Sequence, residues 1–297
     1  MKSIKPFWWT FGFLLCVYSL DARDSLRYFS YAEGLFREGR FPQAAIAYER
    51  AGYYGSGPAD RANAMLGKAE CLKKLQRFTE AEESLLRIEY GGIGPELAIR
   101  AREQTALCGY LAGHFSQAES HLQQLFFYHT DTALTWKVLP LYALILHEHG
   151  KWSEAHGKMR TWLSKAVDVR SRRDSLSLAL EEQYQPSRYP RMKEVRKAQR
   201  WNKILPGAGH AYAGAAGEGL ASFGLNLASL SFIGLNLLKG YYYTTFTVGG
   251  MLMQMVYSGG IERGGQLAEI HNTRARLQFN QELRAFVLRM YETASGG

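Results

Sequence analysis

Four segments of this chain align with one another at a constant spacing. They read GRFPQAAIAYERA, QRFTEAEESLLRI, GHFSQAESHLQQL and GKWSEAHGKMRTW, and they begin at residues 39, 76, 113 and 150. Each starts with glycine, or glutamine in the second, and continues with an aromatic residue and then an alanine at fixed positions. The alanines are Ala44, Ala81, Ala118 and Ala155, always 37 residues apart. Four matches at one period indicate internal repetition, which constrains the fold more than any other feature.

A further small residue stands twelve positions before each of these alanines. Small residues at both points let two helices approach closely, and a larger side chain such as Tyr48, Leu85 or Leu122 fills the space between them. One helix pair cannot bury its apolar face alone, so stacked copies share a continuous core. The sequence therefore predicts an all-α helical solenoid. The upstream residues are Ala32, Ala69, Ala106 and Ala143.

The repeats resemble tetratricopeptide repeats over about residues 26–165. The Gly-x-aromatic-x-x-Ala-x-x-x-aromatic-x-x-Ala pattern of that family is clearest in the first unit, whose matching residues are Gly39, Phe41, Ala44, Tyr48 and Ala51. The period is three residues longer than the usual one of about 34. We expect the additional residues in the loops between repeats, at 53–60 and 90–96.

The resemblance implies a concave face that binds an extended peptide or a helix of a protein partner. Transferred residue by residue, the groove positions of the family fall on both apolar and charged side chains. We expect the partner to contact Phe36, Arg37, Glu70, Lys73, Lys74, Tyr110 and His147, with Phe29, Glu33, Leu66, Glu103, Leu107, Leu144 and Glu148 in the same groove.

Two cysteines lie within the repeats, at equivalent positions 37 residues apart. Cys71 and Cys108 therefore belong to neighbouring repeats, whose equivalent helices are separated by about 8–10 Å. That distance exceeds the usual separation of two Cα atoms joined by a disulfide. The spacing predicts two free and mostly buried thiols.

The N-terminus combines two lysines with an apolar run. Lys2 and Lys5 precede fourteen uncharged residues, 7–20, and small residues at Ser19 and Ala22 follow as candidate cleavage sites. This pattern is typical of a secretory signal peptide over residues 1–22. An uncleaved N-terminal anchor is the alternative.

Residues 166–203 form a basic connector after the repeats. The formal charge of the chain is +9, and its cations are concentrated between residues 188 and 203. The last part of the connector, around 192–201, is predicted to be an amphipathic helix. Its charges stand beside an aromatic ring, an arrangement that suits anionic lipid headgroups at a membrane interface. The expected interface residues are Arg196, Lys197, Arg200 and Trp201.

Residues 204–261 read as a hydrophobic helical hairpin. Two uncharged stretches, 219–238 and 240–261, are each long enough to cross about 30 Å of hydrocarbon as a helix. Buried helices of a soluble protein are the alternative. The entry LPGAGHAYAG resembles the P-G-x-G-x-x-Y-x-G motif of small bacterial membrane hairpin domains. In that reading Pro206 ends the basic helix, Gly207 and Gly209 form a tight turn, and Tyr212 rests at the interface.

The C-terminal part, 262–297, returns to a charged amphipathic pattern. Its apolar stripe consists of Leu277, Leu283, Phe286, Val287 and Met290. We expect this helix either to pack on the basic connector or to lie along the membrane surface.

The location of the repeats follows from the N-terminus. A signal peptide sends the repeats out of the cytoplasm, whereas basic flanks of a hairpin usually stay inside. Reverse insertion of the N-terminal segment, a hairpin in an outer membrane or one that only dips into a bilayer, and a partner that houses the hairpin would each reconcile the two rules. We favour a periplasmic repeat domain in the cell envelope.

The sequence contains no set of reactive residues whose spacing would bring them together in one catalytic or metal site. His147 and His149 lie two residues apart on a helix and point about 200° apart, so they do not share a metal through one face. The glycines after Lys203 lack the Gly-Lys-Ser/Thr of a phosphate loop. The sequence therefore predicts no enzyme, cofactor or metal, and the secretory N-terminus argues against a nucleic-acid partner.

The function expected from these features is that of a non-catalytic, membrane-associated scaffold. It would bind a protein partner through the repeat groove, in bacterial envelope assembly or secretion. Two alternatives remain. One is a soluble periplasmic adaptor whose C-terminal apolar helices pack on the repeats or a partner, and the other is a pore or transport component.

Overall fold

The computed structural model describes residues 26–129, 135–167 and 169–295 of the chain. Within these ranges the fold is all-α, with no β-strand, and the helices pack in sequential order. The chain divides into two compact units. Of the described residues, those up to Glu182 and from Val287 onward form the first, the repeat unit, and Gln183–Phe286 form the second, the C-terminal unit. The predicted N-terminal signal peptide lies outside the described residues.

The repeat unit consists of helix pairs arranged as a solenoid. Its helices are α1 (26–37), α2 (Phe41–Tyr53), α3 (Pro58–Lys74), α4 (Phe78–Leu86), α5 (Pro95–Ala112), α6 (Phe115–Tyr128), α7 (Leu139–Glu148), α8 (Trp152–Ala166) and α9 (Arg170–Gln183). A short 3-10 helix, Thr135–Val138, precedes α7. Loops at 54–57 and 87–94 separate the repeats, as the longer period predicted.

The repeated sequence pattern marks the turn inside each helix pair. The second helix of every pair begins at the repeated aromatic, which is Phe41, Phe78, Phe115 or Trp152. Two residues before it the backbone has a positive φ of 58–83° in all four repeats. Glycine adopts this conformation without steric cost, whereas Gln76 in the second repeat adopts it against the preference of L-residues. The four positions are Gly39, Gln76, Gly113 and Gly150.

The predicted small residues form the contact surface between paired helices. All eight repeated alanines are at most 1 % exposed, and Leu85 and Leu122 between them are fully buried. Because an alanine side chain is short, the helix backbones approach closely enough for each pair to be packed densely. The prediction of a stacked helical core is confirmed.

Polar contacts join one repeat to the next. The buried Glu82 accepts from His114 Nδ1 at 2.6 Å, and the Nζ of Lys151 lies 2.7 Å from Glu119 one repeat later. Glu181 on α9 continues this series, because it bonds Arg160 of α8 at 2.6 Å. The helix α9 therefore packs on the last repeat much as each repeat packs on the one before it.

The C-terminal unit has four main helices joined by short turns. They are α10 (Val195–Ile204), α11 (Ala208–Ala213), α12 (Ala216–Leu238) and α14, which runs Gly250–Ser295 and contributes its last residues to the repeat unit. Between α12 and α14 lie the short α13 (Tyr242–Thr244) and a π-helical turn, Thr245–Gly249. The predicted basic helix is confirmed, but it begins at Val195 rather than near residue 192.

A single buried amide ties three of these helices together. Asn202 of α10 is 1 % exposed, its Nδ2 donates to the Gly260 carbonyl at 2.8 Å, and its Oδ1 accepts from the Gly209 backbone N–H at 2.7 Å. His210 Nδ1 lies 3.3 Å from the same oxygen, and burial lowers the pKa of this histidine. A buried polar group is stable only when it is hydrogen-bonded, so Asn202 fixes the positions of its neighbours.

The predicted packing of the tail on the connector is confirmed within this unit. Asn272 of α14 exchanges two hydrogen bonds with the backbone of Lys193, at 2.6 and 2.8 Å. The rings of Tyr189 and Phe279 meet edge to face with centroids 5.9 Å apart. Leu277 alone of the predicted apolar stripe stays about half exposed.

Both repeat cysteines are free and buried, as predicted. Burial raises the pKa of the Cys71 and Cys108 thiols to about 11. At pH 8 only about one thiol in a thousand is then ionised, and the thiolate is the reactive form.

We expect iodoacetamide at pH 8 to leave both residues unmodified in the folded chain and to alkylate both after denaturation, as measured by peptide mass spectrometry. Rapid alkylation of the native protein, or a peptide pair linked through Cys71 and Cys108, would contradict this arrangement.

Candidate functional site

The first candidate surface is a groove of about 320 Å³ across the first three repeats. It brings together five side chains that the sequence assigned to the partner site, namely Phe29, Glu33, Phe36, Leu66 and Glu70. Arg100 and Gln104 of α5 also line it, and they were not among the predicted residues. The groove thus combines an aromatic end with a polar floor.

Charges in this groove are held in pairs. Lys73 Nζ lies 2.6 Å from Glu70 and donates to Gln104 Oε1 at 2.6 Å, so this predicted site residue is anchored in place. Arg37 pairs with Glu33 at 3.5 Å on the exposed surface, and Lys74 is exposed. Burial raises the pKa of Glu103, which lies near Lys73, Arg100 and Lys137. The floor of the groove therefore presents both signs of charge.

Two predicted groove residues are placed elsewhere. His147 is 1 % exposed and Tyr110 is 9 % exposed, so both side chains belong to the interior of the repeats. The assignment of these two residues to a partner-binding surface is wrong. One residue along a helix corresponds to a rotation of 100°, so a transferred position exchanges core for surface with a small change in register.

The last turns of α14 belong to the repeat unit. Val287 and Met290 are buried, and the Tyr291 ring stacks on Trp162 with centroids 5.9 Å apart. Tyr291 also lines a cavity of about 670 Å³ together with Arg100, Glu103 and Lys137. Sequence reasoning missed this contact, because nothing in the repeat pattern indicates where a distant amphipathic helix will pack.

The second candidate surface is the apolar helix α12. Among the described residues, it is the one helix long and apolar enough to cross a membrane, and only 6 % of its most apolar window is buried. Its 23 residues extend about 35 Å, slightly more than the hydrocarbon thickness of a bilayer. Exposed leucines, including Leu225, Leu227 and Leu230, cover its surface.

The second predicted span differs from the first. Residues 240–261 are largely helical, but they are divided between α13, the π-helical turn and the beginning of α14. This stretch does not meet the same test of length and hydropathy, so one of the two expected spans is supported. The Arg263 guanidinium of α14 donates to both carboxylate oxygens of Glu218 on α12, at 3.0 and 3.2 Å.

The basic helix α10 presents two different faces. Ala198 and Asn202 point into the interior of the C-terminal unit. The predicted interface residues lie on the other side, where Arg196, Lys197, Arg200 and Trp201 are all exposed. Ile204 and Leu205 continue this exposed side at the end of the helix. This exposed surface of α10 therefore joins cations to apolar side chains.

The turn after α10 has the geometry that its glycines predicted. The helix ends at Ile204, two residues before Pro206, and Gly207 has φ +89°. A Cβ at Gly207 would lie 2.1 Å from the Gly219 carbonyl oxygen, and one at Gly209 would lie 2.0 Å from that of Ala198. Both glycines therefore permit close contacts between helices that no other residue would allow.

Tyr212, expected at the membrane interface, is partly buried between neighbouring elements. Its hydroxyl accepts from the Glu194 backbone N–H at 3.2 Å, and its ring lies beneath the Nζ atoms of Lys193 and Lys197 at 5.0 and 5.5 Å. The ring is thus part of the contact between α10 and α11. Its position at a membrane interface stays a prediction.

No group of three or more His, Cys, Asp or Glu side chains within the described ranges is arranged to hold a metal ion. No protein-family model matches this chain, and no curated protein or solved structure matches it either. The functional proposal therefore rests on the groove of the repeats and on the apolar helix α12.

Proposed function

We propose that this chain is a non-catalytic, membrane-associated scaffold of the bacterial cell envelope. In this proposal the repeats are of the tetratricopeptide type and bind a protein partner in their groove, while the C-terminal unit attaches the protein to a bilayer. The observation that carries the proposal is the presence, in one chain, of an open groove on helical repeats and an apolar helix left uncovered.

The uncovered helix supports attachment to a membrane. The exposed apolar surface of α12 is unfavourable in water and is typical of a membrane or partner contact. The length of α12 fits a bilayer, and the cations of α10 match the phosphates of anionic lipid headgroups. A soluble adaptor would instead cover α12 with its own repeats or with a partner, and within the C-terminal unit only 6 % of the apolar window of α12 is buried.

The groove supports binding of a partner protein. It is open, about 320 Å³ in volume, and lined by aromatic rings next to paired charges. Such a surface suits an extended peptide or helix that inserts an apolar side chain beside Phe36 and makes polar contacts along α3 and α5. Envelope assembly and secretion are the processes in which a periplasmic scaffold of this kind would serve.

Membrane fractionation tests the attachment directly. We expect the full-length chain to remain in the membrane pellet in high salt and to be released by detergent. Leu227→Asp/Leu230→Asp should shift at least tenfold more protein into the soluble fraction, because each aspartate in the middle of a span costs about 2.5–3.5 kcal/mol. The matched control, Ile46→Asp/Leu178→Asp, changes exposed apolar residues of the repeat unit and should stay in the pellet. Release of the unaltered chain by salt alone would favour the soluble adaptor.

Photocrosslinking tests the groove in the same membranes. A photoreactive amino acid at Phe36 or Lys74 should give one common protein adduct, and the same group at Ile46, on another exposed surface, should not. Tyr110 is unsuitable as a probe because it is buried. Identical adducts from all three positions would contradict a partner bound in the groove.

A further inference from the structure

Aromatic rings recur along one edge of the repeat unit, at or shortly after the end of the second helix in the first three repeats, and the ring of the second repeat is partly buried. Tyr53, Tyr90 and Phe127 occupy equivalent positions, 37 residues apart. Tyr53 and Phe127 are 83 % and 78 % exposed. Each is followed by a second tyrosine, and the two pairs have the same edge-to-face geometry, with centroids 5.2 and 5.1 Å apart. We call this surface the aromatic edge.

A large cavity opens on this edge. Its volume is about 860 Å³, and it lies between the ends of α2 and α4 and the beginning of α3. Met65 and Ile88 form its apolar floor, and the stacked rings of Tyr28 and Tyr54 form one wall. None of its lining residues lines the groove around Phe36. The cavity is therefore a separate site, and its size is within the range of about 300–1,000 Å³ for ligand pockets.

Cations predominate around the cavity. Three arginines and two carboxylates line it. One of those carboxylates, Glu49, is already held by Lys68 at 2.6 Å and by Arg87 at 2.7 Å. Arg50 and Arg61 are exposed, and no acidic side chain among the described residues lies within ion-pair distance of either. The rim thus carries two exposed guanidinium groups that form no ion pair with the described residues.

The edge is continuous beyond the cavity. The buried Arg102 guanidinium lies 3.9 Å from the centroid of Tyr90 and 5.4 Å from that of Tyr128, so it connects the ring of the second repeat to the pair of the third. It also donates to Gln124 at 2.7 Å. Because Arg102 holds these rings in defined positions, less conformational entropy would be lost on binding.

We propose that the aromatic edge is a second binding surface, which takes an acidic segment of a protein partner. An apolar or aromatic side chain of that segment enters the 860 Å³ cavity, and its carboxylates pair with Arg50 and Arg61. Tyrosine and arginine are the residues that most often dominate binding energy at protein interfaces. This inference does not depend on the function proposed for the groove, and both surfaces are available to different partners at once.

A random twelve-residue peptide library, panned against the full-length chain in nanodiscs of neutral lipid, tests this inference. We expect the selected peptides to be rich in Asp and Glu around one aromatic or branched apolar residue. Measured by fluorescence anisotropy, these peptides should bind at least tenfold more weakly to Arg50→Glu/Arg61→Glu. The control Arg37→Glu/Lys74→Glu makes the same charge change at the groove and should alter their affinity less than twofold.

Three results would overturn the inference. They are the absence of any enriched peptide, the selection of peptides without acidic residues, and acidic peptides whose affinity falls in the groove variant but not in the edge variant. All four substituted residues are exposed, so both double variants should retain the melting temperature of the parent chain. Loss of membrane attachment alone would affect the proposed scaffold function and not this surface, because the panning measures peptide binding only.

Discussion

Gly209→Val is expected to unfold the C-terminal unit and leave the repeats folded. A Cβ at this position would lie 2.0 Å from the Ala198 carbonyl oxygen and 2.7 Å from Asn202 Cγ. The first of these is a backbone atom, so α10 and α11 would have to separate. That movement also removes the hydrogen bond from the Gly209 N–H to Asn202, which leaves a buried amide oxygen without its donor. We expect a loss of about 3 kcal/mol or more in the free energy of unfolding of this unit.

Limited proteolysis and membrane fractionation measure this effect. In Gly209→Val, protease should digest the C-terminal unit quickly while the repeat unit persists, and membrane retention should fall. Gly217→Val is the matched control, because a Cβ there meets nothing within 4 Å. Valine is at least as good a helix former as glycine, so this variant should behave like the parent chain. If the two variants proved equally stable, the close approach of α10 and α11 would be wrong.

Leu122→Ala is expected to destabilise the repeat unit by about 2–5 kcal/mol, since this truncation leaves a cavity in a packed core. The Leu122 side chain is fully buried between repeated alanines, at the position that Leu85 occupies in the preceding repeat. Neighbouring repeats depend on each other for burial, so the loss should affect the whole array rather than one helix pair. The C-terminal unit should be unaffected.

Urea denaturation followed by circular dichroism measures the loss. Leu86→Ala provides the control, because the same atoms are removed from a side chain that is about half exposed at the end of α4. The control should lose well under half as much stability as Leu122→Ala. Equal losses in the two variants would show that the repeated core position has no special role. Both variants should remain in the membrane pellet, because the substitutions lie outside the C-terminal unit.

The repeats could be predicted in detail because their pattern is local and occurs four times. The turn residues, the aromatics that begin the second helices and the small residues between helices each depend on contacts within one helix pair. The free cysteines followed from the same period. The turn at Gly207 was predictable for a similar reason, since a proline followed by glycines restricts the backbone wherever it occurs.

The candidate sites were harder to predict, and the errors have a common physical cause. Tyr110 and His147 were placed in the groove, but they point into the core, because the orientation of a helix in the stack depends on its neighbours. The motif also did not indicate that the Tyr212 ring lies against Lys193 and Lys197. Tyr291 and the aromatic edge were not anticipated. Each of these outcomes depends on which distant helices meet, and sequence periodicity contains no information about that.

The sequence by itself therefore determined the all-α class, the number and limits of the repeated helix pairs, the basic helix and the uncharged stretch that became α12. These depend on backbone conformation and on hydrophobic periodicity over a few turns. The tertiary structure alone decided that Asn202 joins α10, α11 and α14, that the end of α14 packs on Trp162, and that aromatic rings and arginines surround one cavity. Such contacts join residues far apart in the chain, and their geometry is set by close packing rather than by any local preference.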